Sequence, residues 1–597
     1  MESDKKIRRL LYCWLGVALV RILTVNNFPI LANPDAGIDD GLMIDRAMNL
    51  VSGRWLGTYD FVTLSKGPGL SFLLAFCCIT GIPFLTIESI IYSFGCIMFS
   101  LAIRPLFKKD IPLTLLYLFL LFNPVSMASE TYQRVYRNGV VLGFELMVIG
   151  AFVAVFIRYR SKAKAWVKWM LVGGFALTLA LYTRDDFIWI MPFVACAFII
   201  VAGLVIKEHG IKCRHTWIKV GILFIPFFIY AVGTFAISIV NYKVYGIYTV
   251  TDTSGTYFSK AIKAMYSVED TENIPYVSVS RKKLEQLYDV SPTLNSIREG
   301  LNVRMDYWEG CGRAPGDGEV EDGWFYWTLR QAVADYGYYE NAHTSELFYK
   351  NVYREIEAAI NDGRLDKRLT MPSALMSPWR KGYGKLLVST MKEANSFIVS
   401  FSGIGMAASN ATNMASEAAR IEMTETLTHN QALYDVNYFT ERPQKTYIRY
   451  IDRMCGYVYK IFYAYEKYNK SIYYIALFAF VLLIIDIIYG LITKKYKYIQ
   501  IAVIVIGLWL SYILFIAGVC YTHISAFPAM AYMYLSCAYP LILTIEGILL
   551  LYLIDKVCEI YKLMKMRVGE NGIDNFNALL KRGGDSGNMH KKGADLS

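Results

Sequence analysis

The segment from Gly139 to Arg158, GVVLGFELMVIGAFVAVFIR, is almost entirely apolar and, as a helix, long enough to cross the roughly 30 Å hydrocarbon layer of a membrane. Comparable runs recur along a chain that is 55% hydrophobic and only 19% charged. We therefore predict an all-α polytopic membrane protein with about ten transmembrane helices, in a range of about 9 to 12. The predicted spans are 9–31, 85–104, 111–126, 139–158, 165–182, 187–206, 218–242, 472–492, 499–519 and 526–554.

The distribution of basic residues predicts the orientation of these spans. The net charge is +11, but the basic residues lie in short loops between spans, so membrane topology explains them and no nucleic acid partner is expected. With the basic N-terminus (1–9) in the cytoplasm, every basic loop falls on the cytoplasmic side. This requires 70–80 to be a short interfacial or re-entrant helix. We expect a multi-pass protein of the plasma (cell) membrane with both termini cytoplasmic.

A long polar and aromatic stretch interrupts the apolar runs between predicted helices seven and eight. It is too long for a linker, so we predict a large, mainly helical domain outside the cytoplasm. The end of the chain has the composition of a disordered segment. The predicted parts are an N-terminal membrane module (1–242), the extracytoplasmic domain (243–471), C-terminal membrane helices (472–567) and a disordered cytoplasmic tail (568–597).

Two segments of the extracytoplasmic domain have recognisable patterns. The segment 323–330 is densely aromatic, and although aromatic faces can stack on sugar rings, we expect it to lie in the core of the domain. The segment 346–360 has helical periodicity. Its predicted apolar face consists of Leu347, Val352, Ile356 and Ile360.

Two adjacent acids, Asp39 and Asp40, follow the first predicted span on the outer side. They begin a predicted helix with one apolar face, so one interpretation is that they cap its N-terminus. The other is that one of them is a general base, with a pKa raised by burial and by its neighbour. The apolar face of this helix consists of Met43, Ala47, Leu50 and Val51.

Three basic residues on the predicted outer side could bind an anion. Lys66 stands in the turn Lys66-Gly67-Pro68-Gly69 and either holds a phosphate or extends to the membrane interface. Arg134 and Arg137 would share one face if their segment were helical. Because arginines are unusual on the outer side, each needs a partner such as Glu130, a lipid headgroup or a ligand phosphate.

A third charged loop carries Arg184, Asp185 and Asp186 on the same side. These residues form either an internal ion pair or a further acidic part of the site. His523, in a short outer loop, is isolated and lacks the spacing of a metal ligand. The eleven cysteines also lack that spacing, and we expect most of them to be small buried hydrophobic residues.

The motifs Asp39-Asp40, Gly53-Arg54-Trp55 and Lys66-Gly67-Pro68 resemble those of the GT-C superfamily of integral-membrane glycosyltransferases. The branch most similar is that of the protein O-mannosyltransferases and the lipid A aminoarabinose transferases. Gly67 replaces a proline of that branch, and Glu130 replaces the aspartate of the next outer loop. The resemblance covers the first 190 residues approximately, and the extracytoplasmic domain has no counterpart in it.

The resemblance implies a GT-C-like fold and a hexosyltransferase-type glycosyltransferase. It would take a polyprenyl-phosphate-linked sugar from the membrane lipid and transfer it, with inversion, to an acceptor glycan, lipid or protein. No cofactor is required, although a divalent cation could bind the acids. The implied residues are Asp39, Asp40 and Glu130 for catalysis, Lys66, Arg134, Arg137 and Arg184 for the lipid phosphate, and Asp185, Asp186 and His523 as additions.

Two other functions fit parts of the pattern. A transporter or flippase for a lipid-linked glycan would use the same acids and arginines for binding and for proton coupling. Paired halves and broken helices, which many transporters show, are not evident in the sequence. A non-catalytic membrane scaffold with an outer binding domain is the third hypothesis, and it leaves the acidic loop unexplained.

Overall fold

The computed structural model describes residues 2–585 except 108, 271, 273, 315–317, 369–375, 410–412, 414, 434–444 and 495. The protein is all-helical, with 73% of its residues in helices. Within the described ranges no β-strand is formed, only isolated bridges such as that between Leu31 and Arg134. The predicted all-α class is therefore confirmed.

The helices fall into three groups along the chain. The first comprises α1 (Glu2–Val25), α2 (Asp40–Val51), α3 (Gly69–Thr80), α4 (Phe84–Ile103), α5 (Asp110–Leu121), α6 (Arg137–Ile157), α7 (Ala163–Thr183), α8 (Met191–His209), α9 (Arg214–Leu223) and α10 (Ile225–Tyr245). The second comprises α11 (Tyr257–Ser267), α12 (Arg281–Val290), α13 (Pro292–Asn295), α14 (Arg298–Trp308), α15 (Asp322–Asp335), α16 (Ala342–Asn361), α17 (Tyr383–Ser400) and α18 (Ala418–Thr428). The third comprises α19 (Lys445–Thr493), α20 (Ile499–Ser525) and α21 (Ala538–Asp585).

Among the described residues, seven helical stretches are long and apolar enough to cross a membrane. Each overlaps with a predicted span. They are Phe84–Leu106, Arg137–Ile157, Ala163–Thr183, Asp185–His209, Ile225–Tyr245, Arg449–Thr493 and Ile499–Ser525.

The predicted spans 9–31, 111–126 and 526–554 are not among these seven. Helix α1 ends at Val25 and contains Arg21, α5 has only 12 residues, and α21 begins at Ala538. The total of ten crossings and the side of each terminus therefore stay predictions. The segment 70–80, which we predict to be a short helix that does not cross the membrane, lies in α3, a helix of 12 residues.

Helix α6 lies at the centre of the first group because glycines let α4 approach it closely. A Cβ atom at Gly143 would lie 2.6 Å from the carbonyl oxygen of Ile91, and one at Gly95 would lie 2.6 Å from that of Gly143. Gly139, one turn earlier, leaves no room for a Cβ atom against the carbonyl of Thr131. Such small-residue contacts allow tight helix crossings in membranes. They also fix Arg137, the first residue of α6, against the loop before it.

A second hydrophobic core joins α11 to α16. The aromatic segment 323–330 lies in α15 and contributes Phe325 and Leu329 to this core, as expected. The predicted helix at 346–360 falls within α16, where Val352 and Ile356 are buried.

The predicted apolar face of α16 is wrong at Leu347, which is 46% exposed. Phe348 takes the inward position instead. Together with Val352, Ile356 and Ala359, it forms an inward stripe with the spacing of one helix face.

The proposed boundaries at 243 and 471 stay predictions, and two helices between them contact the membrane groups. The Tyr512 hydroxyl on α20 donates to the Asn395 side chain on α17 at 2.9 Å. Arg420 on α18 lies 2.5 Å from Asp45 on α2. Helix α21 continues to Asp585, and 586–597 lie outside the described residues, so the predicted disordered tail at 568–597 stays a prediction.

Candidate active site

Asp39 and Asp40 lie in a sharp turn of the chain that begins at Pro34, and their side chains occupy different environments. The carbonyl of Ala36 accepts hydrogen bonds from the backbone N–H groups of Asp39 and Gly41. A Cβ atom at Gly41 would lie 2.3 Å from the carbonyl oxygen of Pro34, so only glycine fits this turn. Asp39 precedes α2 but makes no capping hydrogen bond with its side chain. The capping interpretation is therefore wrong for Asp39.

The side chain of Asp39 instead forms an ion pair with Lys66. The ammonium of Lys66 lies 2.5 Å from Oδ1 of Asp39 and also donates to the carbonyl of Ile38. The Tyr136 hydroxyl donates to the same carboxylate oxygen at 2.9 Å. The side chain of Asp39 is 38% exposed, whereas that of Lys66 is 10% exposed. Asp39 thus presents a carboxylate that a small molecule can reach.

Buried Arg46 on α2 holds the loop that carries Lys66. Its guanidinium donates to the carbonyl oxygens of Val62 and Thr63, both at 2.7 Å, and of Lys66 at 2.9 Å. The turn after Lys66 presses on the end of α7, where a Cβ atom at Gly67 would lie 2.2 Å from the carbonyl oxygen of Tyr182. Glycine is therefore required where the resembling family has proline.

The Gly53-Arg54-Trp55 motif has a local structural role. Gly53 follows the end of α2 with φ +73°, a conformation that glycine adopts without strain. The indole N–H of Trp55 donates to Oδ1 of Asn241 on α10 at 2.8 Å. The motif thus ends α2 and attaches the loop to a neighbouring helix.

Asp40 is buried and binds Arg134 through both carboxylate oxygens, at 2.9 and 3.2 Å. Its Oδ2 also accepts the backbone N–H of Asn33 at 3.1 Å. Arg134 contacts a second acid, with its Nη1 3.1 Å from Glu130. Since only 1% of the Asp40 side chain is exposed, we assign Asp40 to the positioning of Arg134.

Arg134 and Arg137 do not share a helical face as predicted, because the segment is irregular. A π-helical turn ends at Gln133, Arg134 is extended, and α6 begins at Arg137. Both guanidinium groups nevertheless lie over the Tyr136 ring, at 4.7 and 5.3 Å from its centroid, and the Lys66 ammonium lies 5.6 Å from it. Tyr136 is therefore the common neighbour of the three cations.

Arg137 differs from the other two cations in its partners. Its Nη2 donates to the Tyr136 hydroxyl at 3.3 Å, and its buried Nε–H has no acceptor among the described residues. It forms no ion pair within the described part of the chain, whereas Lys66 pairs with Asp39 and Arg134 with Asp40. Arg137 is thus the cation best placed to accept an added anion.

Burial and neighbouring charges shift the pKa values of the two aspartates in opposite directions. Burial raises the pKa of Asp40 above its usual value, and the attraction of Arg134 does not compensate. Burial acts on Asp39 in the same way, but Lys66 and the Tyr136 hydroxyl outweigh it and lower its pKa. Burial, reinforced by Arg137, lowers the pKa of Lys66 to about 8. The expected upward shift therefore applies to Asp40 and is wrong for Asp39.

The remaining predicted site residues do not all lie close to this cluster. Asp185 lies beside the Lys66 turn, since a Cβ atom at Gly67 would be 3.3 Å from its Oδ1. Arg184 is buried and ion-paired with Asp186, which agrees with an internal pair. His523 is engaged elsewhere, with its Nδ1 accepting the backbone N–H of Met530 at 3.1 Å.

The acids of this cluster do not offer a ligand set for the suggested divalent cation. Among the described residues, no three histidine, cysteine, aspartate or glutamate side chains gather closely enough to hold a metal ion. The acids instead bind arginine and lysine side chains. The residues present therefore do not fit a metal centre.

Three contributors to the cluster were not identified from the sequence. Arg46 interrupts the apolar side of an amphipathic helix, and this is a detectable signal of a buried cation. Tyr136 stands between the two arginines, but nothing in its type predicts a shared contact. Trp327 of α15 lies over the Lys66 ammonium at 5.7 Å, a long-range contact without a sequence signal.

Comparison with known proteins adds no relative to these observations. No family model matches the chain, and no curated protein matches it.

Proposed function

We propose that this protein is a membrane glycosyltransferase that moves a sugar from a polyprenyl-phosphate donor to an acceptor hydroxyl at the outer face of the membrane. The observation that carries the proposal is an accessible carboxylate, Asp39, in the same cluster as Arg137, a cation that forms no ion pair within the described residues. A general base and an anion-binding group are the two elements that this transfer needs.

In the proposed reaction the acceptor oxygen attacks the anomeric carbon of the donor sugar. The bond from that carbon to the phosphate oxygen breaks, and polyprenyl phosphate leaves with the electron pair. Asp39 accepts the proton of the acceptor hydroxyl, and attack from the face opposite the phosphate inverts the anomeric configuration. Arg137 and Lys66 would stabilise the negative charge on the departing phosphate.

The ion pair between Asp39 and Lys66 implies that the donor binds before the acceptor reacts. While Lys66 is paired, it lowers the pKa of Asp39 and makes it a weaker base. A lipid phosphate would compete for the Lys66 ammonium and so leave Asp39 freer to accept a proton. Donor binding would thereby prepare the base for the acceptor.

Donor binding tests the proposal directly. The purified protein in nanodiscs is titrated with undecaprenyl phosphate, and binding is measured by native mass spectrometry. We expect Arg137→Gln to weaken binding roughly tenfold or more, since charge-assisted hydrogen bonds contribute about 1.5–3 kcal/mol. The matched control is Arg304→Gln, whose side chain pairs with Asp335 on the outer helices.

Transfer is then followed with polyprenyl-phosphate hexoses carrying a radiolabel, in native membranes that contain the acceptor. Transfer that depends on the protein and is lost with Arg137→Gln supports the proposal. Undiminished phosphate binding by Arg137→Gln, or absence of transfer with every hexose, contradicts it.

A transporter or flippase for a lipid-linked glycan is the second candidate. One observation favours it: Glu88, Glu145 and Glu546 are buried in apolar helices, and none forms an ion pair within the described residues. Acids inside a membrane often belong to proton paths. Movement of a labelled lipid-linked oligosaccharide across proteoliposomes, driven by a pH gradient, would select this candidate over the transferase.

A further inference from the structure

A cavity of about 610 Å³ lies between the loops around α2 and the outer helices α14 and α15. Its membrane-side wall includes Ile38, the residue before Asp39. The carbonyl of Ile38 accepts a hydrogen bond from Lys66, so this wall also belongs to the ion pair of the candidate active site. The cavity therefore adjoins the proposed base.

The outer wall of the cavity presents two aromatic side chains of α14. Tyr307 is 68% exposed, although a tyrosine ring is largely apolar. Trp308 stacks on Trp324 with ring centroids 4.9 Å apart, and its indole N–H donates to Oε1 of Gln331 at 2.9 Å. One ring is thus accessible and the other is fixed in place, as in surfaces that stack on the apolar faces of sugar rings.

The rest of the lining is polar and carries charges of both signs, because three acids line the cavity together with Arg46 and Arg304. Asp35, Asp45 and Asp60 all line the cavity. Asp60 accepts three local hydrogen bonds through Oδ1, which leaves Oδ2 as a further acceptor. Asp35 and Asp45 share Arg420 as an ion-pair partner, so Asp60 is the acid of this lining that has no ion pair among the described residues. Its free carboxylate oxygen can accept a hydrogen bond from a sugar hydroxyl or ammonium group and repels an anionic group beside it.

Arg46 contributes a buried cation to the lining of the cavity. Its Nε–H has no acceptor among the described residues. Its other donors hold the loop carbonyls, so the side chain is fixed. Because this Nε–H is shielded from solvent, Arg46 shapes the wall of the cavity and does not offer a hydrogen bond to a ligand there.

We propose that this cavity binds the acceptor as a carbohydrate, either uncharged or bearing amino groups, and holds one of its hydroxyl groups towards Asp39. This proposal rests on the proposed transferase function. The aromatic wall stacks on a sugar ring, and the unpaired carboxylate of Asp60 accepts a hydrogen bond from the sugar and selects against a carboxylate or phosphate group at that point.

Equilibrium binding in nanodiscs tests the proposal with three probes of one length: chitotriose, its fully deacetylated triamine and trigalacturonate. We expect the first two to bind and the third to bind at least tenfold more weakly. Tyr307→Ala removes an exposed ring, so the fold is retained, and it should weaken binding about three- to tenfold. Tyr248→Ala, which removes an exposed tyrosine elsewhere, should leave binding unchanged.

A second measurement separates this proposal from the transferase itself. Chitotriose binding and sugar transfer are both measured on the wild type in the same nanodisc preparation. If chitotriose binds through Tyr307 but no sugar is transferred by the wild type, the site stands and the transferase function fails. If transfer occurs and Tyr307→Ala does not raise the KM for the acceptor, the transferase stands and this cavity is not its acceptor site.

Three outcomes overturn the proposal. One is failure of both chitotriose and the triamine to bind. Another is trigalacturonate binding as tightly as they do. The third is displacement of bound chitotriose by a serine- and threonine-rich peptide that itself binds more tightly, which would assign the cavity to a protein acceptor.

Discussion

The acids around α2 and the acids inside the helix bundle have opposite surroundings. Asp39 and Asp40 each lie within 3 Å of a cationic side chain. Glu145 and Glu546 are fully buried in α6 and α21, and among the described residues neither forms an ion pair. Acids of the first kind are suited to remain ionised, whereas burying an unpaired carboxylate is so costly that the neutral form is expected for the second kind.

This difference separates two functions of an acidic residue in a membrane protein. An ionised carboxylate near the surface of the bundle can take a proton from a substrate, as the proposed transferase requires. A neutral buried acid can only donate or exchange a proton, as a transporter requires. Substitutions that remove charge should therefore affect the two groups differently, and the predictions below rely on that contrast.

The largest effect is expected for Asp39→Asn. The amide keeps the shape of the side chain but cannot accept the acceptor proton, so transfer should fall about 10²- to 10⁴-fold. The measurement is transfer of radiolabel from the polyprenyl-phosphate sugar by the purified variant in nanodiscs. Its thermal unfolding should stay close to that of the wild type.

The control for Asp39→Asn is Asp362→Asn. Asp362 is a half-exposed acid that also has a cationic partner, Arg364. Its loss should leave transfer unchanged, because it lies after α16 and away from the cluster. Full activity of Asp39→Asn would refute the assignment of the base.

Asp40→Ala should destabilise the protein rather than impair a chemical step. It leaves Arg134 with only the exposed Glu130 as a partner, and breaking a buried ion pair costs about 3–5 kcal/mol. Denaturant unfolding in detergent measures the loss. The double variant Asp40→Ala/Arg134→Met should recover part of it, and equal stability of the single variant and the wild type would contradict this role.

A pH dependence follows from Lys66, whose pKa is lowered to about 8 from its ordinary value of 10.5. Above pH 8 the ammonium loses its proton, and both the pairing with Asp39 and the attraction for phosphate are lost. Transfer should therefore be roughly tenfold lower at pH 9 than at pH 7. Lys66→Arg should shift this decline upwards, since a guanidinium stays charged.

The stability should change with pH in the opposite direction. Between pH 8 and pH 10.5 the unfolded chain binds more protons at this lysine than the folded protein does. The contribution of Lys66 to the free energy of unfolding therefore rises with pH across this window, while activity falls. A parallel decline of activity and stability would show that the activity loss is unfolding.

Much of the fold could be predicted from the sequence, because the length of an apolar run is a local property. Residues 139–158 and six comparable runs needed no tertiary information to be recognised. The composition of the candidate site was also visible, since Asp39 and Asp40 stand at the start of α2 and Lys66 stands in the loop after it.

The distinction between Asp39 and Asp40 could not be predicted in the same way. The two residues are chemically identical, and their difference arises from partners far along the chain, Lys66 and Arg134. The local structure at Arg134 and Arg137 could not be predicted either, because a π-helical turn ends just before Arg134 and α6 begins only at Arg137. The contact of Trp327 with Lys66 depends on how α15 packs against the loop after α2, and no local sequence pattern encodes that packing.

The smallest effect is expected for Glu145→Gln. If Glu145 is neutral, the amide replaces one uncharged polar group with another of the same size, and the free energy of unfolding should change by less than about 1 kcal/mol. Transfer should also be unchanged, in contrast to Asp39→Asn. Both quantities are measured in the same nanodisc preparation, so the two isosteric substitutions form a matched pair.

The result of this pair decides between the two candidate functions. A transporter that moves protons through Glu145 would lose coupled transport with Gln, because an amide cannot release a proton under these conditions. The transferase would be insensitive to Glu145→Gln and would be inactivated by Asp39→Asn. If the sensitivities are reversed, the buried acids rather than the ion-paired cluster carry the function, and the acids around α2 serve to hold their loop against α6.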